Sequence, residues 1–209
     1  MTLQKFNIKP GRPKVINRNH VITVAMNSYW VEGVKNMSLN EICRRANVSK
    51  PALYREFGNE DGLMSAALEL YFKEFITPIL RLFSSQQTFQ EDLQKILFCV
   101  LNTSEKKKLA VGCLFTKMRD SHDLLGCKTK KTLKALHQLL LETYEEYIDH
   151  AKRKGNFTNQ ISSAVAAAYI DNQISNINAQ KARGESIQSI KDLACLAFSA
   201  LFKKPFYIN

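Results

Sequence analysis

Residues Ser38–Phe57, SLNEICRRANVSKPALYREF, constrain the fold more than any other stretch, because two short helical patterns meet there at a turn without glycine. Ser38 followed three residues later by Glu41 is a capping box, each side chain placed to satisfy a backbone N–H at a helix start. Leu39, Ile42, Cys43 and Ala46 recur every three or four residues and give that helix one buried stripe, with Asn40, Arg44 and Arg45 facing out. Asn47 ends it, since asparagine is second only to glycine in tolerating the left-handed backbone. Val48 fills the corner, Ser49 caps the second helix, and Pro51 falls in its first turn, where the missing N–H had no partner to lose. Helices joined at such a turn can seat the second of them in the major groove of DNA.

These residues also match a known pattern. The hairpin resembles the helix-turn-helix of the tetracycline-repressor (TetR/AcrR) family: Ser38, Ile42, Ala46, Val48, Ser49, Leu53, Tyr54 and Phe57 stand where that family places them, and Ala25, Tyr29 and Gly33 fit its preceding helix. The resemblance covers roughly the first third of the chain. Three positions depart from it. Cys43 replaces a small alanine, Asn47 a glycine, and Glu60 stands where the family often has a lysine on a phosphate. The resemblance implies that Lys50, Pro51, Ala52 and Arg55 face base edges, and that Ser38, Ser49 and Tyr54 touch phosphates of a double-stranded operator.

Charge supports this. The chain of 209 residues carries a net +11, of which residues 1–57 hold ten Lys/Arg against three Asp/Glu, or +7, leaving +4 for all the rest. Basic charge around a groove-fitting motif favours phosphate neutralisation. Residues 1–14 read as a flexible basic arm, broken by Pro10, Gly11 and Pro13; Gly11-Arg12-Pro13 resembles segments that send an arginine into the minor groove, and a solvated tail is the bland alternative.

Along the chain, a helix is expected over Val15–Glu32, ended by Gly33, with the reading hairpin after it, so that residues 15–62 form a three-helix DNA-binding domain. Asn59 caps a long helix through Leu63, Met64, Ala67, Leu70 and Tyr71 to Pro78, which must kink or stop it. Further helices are expected over Phe89–Thr103, after a capping box at Thr88 and Glu91, over Cys113–His122 and over Lys128–Lys154, with a charged loop at Glu105–Lys108. The last two, Asn159–Ala182 and Ile187–Phe202, join through Arg183-Gly184-Glu185-Ser186 as a hairpin. The architecture is all-α, with residues 63–209 a helical effector-binding and dimerisation domain. The resemblance implies that the final pair of helices forms a homodimer; intrachain packing is the plain alternative. No apolar run approaches the ~20 residues of a membrane span and no signal-peptide core opens the chain, so a cytoplasmic protein is expected.

Chemistry is sparse. His20, His122, His137 and His150 are scattered, no H-E-x-x-H, G-x-S-x-G or phosphate-binding glycine loop occurs, and the five cysteines form no C-x-x-C pair, so neither catalysis, metal nor cofactor is expected. Cys113, after Gly112 at an apparent helix start, is the thiol most open to a redox role, against the commoner reading of a small buried hydrophobe. The resemblance places a small-molecule effector in the C-terminal domain, with Phe72, Ile76, Phe98, Phe115, Met118, His122, Leu140 and Tyr144 as candidates that serve equally as core. The function expected is a repressor released from a palindromic operator by that effector. The alternative is an architectural or division-associated DNA-binding protein whose C-terminal surface takes a protein partner.

Overall fold

The computed structural model describes residues 16–83, 87–107, 112–203 and 205–208. The arm expected over residues 1–14, Arg12 included, and Lys108 lie outside them. Among the described residues there are helices and no strands.

The first helix, α1 (Arg18–Glu32), starts at Asn17, whose side chain accepts the His20 N–H, and stops at Gly33. It buries Val21, Ile22, Ala25, Met26, Tyr29 and Trp30. Helix α2 (Leu39–Ala46) is capped by Ser38, which accepts the Glu41 N–H at 3.3 Å. The Glu41 carboxylate does not complete the expected box: it turns to Arg44 and Arg45, because two guanidinium groups one helical turn away outcompete one backbone N–H. Asn47 takes the left-handed conformation, φ 53° and ψ 46°, and Val48 N–H closes on the Cys43 carbonyl at 3.0 Å. Helix α3 (Lys50–Phe57) follows, capped by Ser49.

Helix α4 (Glu60–Tyr71) begins at Asn59 only two residues after α3 and packs on α1 and on a later long helix. The expected kink or stop at Pro78 falls on either side of it: the helix widens just before it and ends at Leu80, two residues beyond. Residues Phe72–Ile76 widen into a π-turn, in which the Thr77 N–H bonds the Phe72 carbonyl, and the rod continues as α5 (Thr77–Leu80). A π-turn shifts the hydrogen-bond register, which lets a chain lacking one N–H stay helical. Helix α6 (Phe89–Lys107) runs beyond the expected end at Thr103 and absorbs Glu105, Lys106 and Lys107, all good helix formers, from what was expected to be a loop.

Helix α7 (Leu114–Asp120) stops before His122, which opens a short 3-10 turn instead. The long α8 (Cys127–Arg153) buries Leu133, Leu140, Tyr144 and Ile148. Helix α9 (Ser163–Ala182) starts at Ser162 rather than Asn159, whose side chain accepts the Ile161 N–H and donates to the Ala200 carbonyl. Helix α10 (Ile187–Ser199) ends short of Phe202, since the chain turns back to bury Phe206 and Ile208, with the Phe206 N–H bonded to Ser199 Oγ at 2.9 Å. Among the described residues no helix is long and apolar enough to cross a membrane.

Candidate functional site

Burial divides α3 cleanly. Leu53 and Phe57 anchor it to the core, while Lys50, Pro51, Tyr54 and Arg55 are exposed and Ala52 is half-buried. Ser38 and Ser49 are exposed at the two helix starts. A shallow cleft between the start of α1 and the hairpin brings Arg55 and Ser49 together with Asn17, His20, Arg44 and Asn47, residues that the sequence did not single out for this surface. Arg18 joins α1 to α3, pairing with Glu56 at 3.1 Å while lying over the Phe57 ring. Arg45 is committed to structure, since it bonds Glu41, Ser28 and Glu32 and so ties α2 to α1. Hydrogen bonds from Arg44, then Arg45, hold the Glu41 carboxyl down at about 2. Arg44 keeps most of its side chain in solvent.

The second feature is a cavity of about 80 Å³ where this N-terminal unit meets the helices behind it. Trp30 from α1, Tyr71 from α4 and Phe75 from the π-turn form one wall, their rings 4.7–5.1 Å apart. Of the residues expected to meet an effector, Ile76, Phe115, Leu140 and Tyr144 line it. Phe72 and Met118 are buried outside its lining. Phe98, on the outer side of α6, and His122 are exposed, so neither joins the others.

Trp30 is held twice: its indole N–H donates to the Gly112 carbonyl at 2.9 Å, and Lys117 Nζ donates to the Trp30 carbonyl at 2.7 Å. Asp171 on the cavity wall is spanned by Arg119 at 2.8 Å and His137 at 3.0 Å, so that one carboxylate joins α7, α8 and α9. Buried Lys181 donates to the Val100 carbonyl. Cys113 is the buried N-cap of α7 and accepts the Tyr71 hydroxyl hydrogen at 3.3 Å. Burial pushes the Tyr71 hydroxyl well up, with the neighbouring thiol adding to it. Sequence reasoning missed Trp30, although the single tryptophan of the chain in the last turn of α1 was a signal that could have found it; Asp171 and Lys181 gave none, since their partners lie 34 to 81 residues away.

A third feature joins the two. The Asp61 carboxylate in the first turn of α4 accepts the N–H groups of Lys128 at 2.8 Å and Thr129 at 2.9 Å, and the Thr129 hydroxyl at 2.6 Å. It thereby caps α8, whose own N-cap, Gly126, has no side chain to do so. Burial opposes its ionisation, but the bonds from Thr129 and Lys128 outweigh that and hold its pKa below the ordinary value. A side chain at Gly126 would sit 2.2 Å from the Asp61 carboxyl carbon.

Residues 21–67, which span α1 to α3 and the start of α4, match the family model described as bacterial regulatory proteins, tetR family. Residues 21–67 form a TetR-type DNA-binding domain. A similar curated relative is the HTH-type transcriptional repressor ComR of Escherichia coli (strain K12), 24% identical over 190 residues, which are 88% of each chain. Among solved structures, E. coli NemR in its reduced form has a TM-score of 0.77 at 15% identity, over 87% of this chain and 95% of that one. A cysteine mutant of CifR, bound to a 26-base-pair operator, has a TM-score of 0.76 at 17% identity, over 92% of this chain and all of that one. The protein is thus a DNA-binding transcriptional regulator with the TetR fold.

Proposed function

We propose that this regulator is a homodimeric repressor, with residues 15–62 as reading heads and 63–209 as body, which leaves a palindromic operator when a small effector enters the cavity behind Trp30. The observation that carries this reading is that Trp30 belongs to α1 of the head yet forms a wall of the cavity. A ligand there touches the head directly, as well as α4 through Tyr71 and the π-turn through Phe75. Its walls suit a small, largely apolar or aromatic compound, and Asp171 is already paired with Arg119 and hydrogen-bonded to His137. Cys113 serves as a wall residue. Two heads are needed because one short reading helix contacts too few base pairs, and two-fold operators are read by two-fold proteins.

Trp30 is the sole tryptophan, so its fluorescence reports cavity occupancy without a label. A panel of small aromatic and aliphatic compounds titrated against it should yield one that quenches it saturably and weakens operator binding roughly five- to 150-fold. Saturation of the Trp30 signal with operator affinity unchanged would sink the effector reading.

Base recognition is tested separately. Arg55→Ala should cost about 1–3 kcal/mol at one operator base position and relax the preference there. Selection from randomised duplexes measures this; a uniform loss across all sequences would show Arg55 to touch only phosphate.

A further inference from the structure

The N-terminal half-turns of α4 and α8 lie side by side. Asp61, the second residue of α4, bonds the N–H groups of Lys128 and Thr129, and one turn further on Ser65 Oγ shares a hydrogen bond of 2.8 Å with Thr132 Oγ1. The two helices therefore run in the same direction from the same level. That level belongs to the head, because only Gly58 and Asn59 separate α4 from α3.

This is where the body carries its densest run of positive charge. Four of the seven residues in Lys128–Lys134 are lysines and none is acidic. Thr129, Thr132 and Leu133 are turned towards the interior, which leaves Lys128 and Lys131 exposed, three residues apart and thus neighbours on the helix surface. Among the described residues neither makes a salt bridge. Asp61, the acid whose charge Lys128 feels, is already engaged by α8 backbone N–H groups and forms no ion pair with the Lys128 ammonium.

We propose that this edge of α8 is a second DNA-contacting surface, on which Lys128 and Lys131 of the body neutralise backbone phosphates flanking the half-site read by α3. The inference rests on the DNA-binding reading of α3 and extends it to a helix outside the head. Unpaired lysines next to a duplex displace condensed counterions, and each phosphate neutralised adds about 0.9 to the salt dependence of binding. Such contacts position the protein without reading sequence. They also tie DNA to the cavity, since the same helix supplies Leu140 and Tyr144 to its wall. A shift of α8 on ligand binding then moves phosphate contacts as well as the heads.

The test uses the full-length protein and a duplex that it enriches from a random-sequence pool. Lys128→Gln/Lys131→Gln is compared with Arg153→Gln/Lys203→Gln, which removes the same charge from exposed positions, the first of them at the far end of α8, about 38 Å away. Both pairs keep every backbone hydrogen bond, and thermal melting checks that they fold. The expected result is a slope of log K against log salt shallower by about 3–4 for the α8 pair alone, since a homodimer loses four such contacts, with affinity lower by on the order of 10³-fold at 0.1 M salt. Equal slopes for all three proteins, or the same loss from both pairs, overturn the proposal while Arg55→Ala still reports on α3. Failure to enrich any duplex would overturn the DNA-binding reading itself, and this inference with it.

Discussion

On the proposed homodimer, Leu196→Glu is expected to leave a monomer and to weaken operator binding by about 10²–10⁴-fold, with the fold of each chain unchanged. Leu196 is 74% exposed on α10, and Leu193, one turn earlier on the same helix, and Val165 on α9 are also about half exposed. The inner faces of the two helices are already used: Ile190, Ala194 and Phe198 are buried, and Tyr169 of α9 donates its hydroxyl hydrogen to the Ala197 carbonyl at 2.7 Å. The leucines are thus surplus to the chain's own core, and a cluster of this kind marks an interaction surface. A buried carboxylate from each protomer cannot be paired across a two-fold contact made of apolar residues, so the dimer loses far more than the leucine contact. Light scattering reads the mass and a mobility shift reads the affinity. A dimeric Leu196→Glu protein with undiminished affinity would place the interface elsewhere.

Gly62→Ala is expected to lower stability by about 3 kcal/mol, which for a chain of this size is a fall in Tm of roughly 6–12 °C. A Cβ at position 62 would lie 2.0 Å from the Phe57 carbonyl oxygen and 3.1 Å from its carbon. Both are backbone atoms at the end of α3, so no side chain can rotate away. The turn through Gly58 and Asn59 has to open, and with it goes the Asn59 cap, which accepts the Gly62 N–H at 2.8 Å. Because this turn sets the angle between α3 and α4, operator binding should fall together with stability. Calorimetry measures the first and a mobility shift the second; an unchanged Tm would contradict the close approach.

The hairpin was legible because its signals are local. Ser38 and Ser49 bond N–H groups three residues on, and Asn47 adopts the left-handed turn that its side chain tolerates. Local signals also located Gly33 and Gly184 at helix ends. They came close at Pro78, where the π-turn at Phe72–Ile76 precedes the proline and the helix ends at Leu80, two residues after it. They misjudged Glu105 to Lys107, where charge suggested a loop and helix propensity continued the helix.

What the sequence determined by itself was the all-α architecture, the helix-turn-helix hairpin and the exposed Lys50, Pro51, Tyr54 and Arg55 of its second helix, because spacing, caps and turn residues act within a few positions. Only the tertiary structure decided which aromatics enclose the cavity, why Trp30 belongs to both head and body, and how Asp61 caps a helix 67 residues later. Each of these joins residues far apart in the chain. A hydrogen bond between distant helices leaves no period and no motif, since its two partners are brought together only by burial of the faces on which they sit.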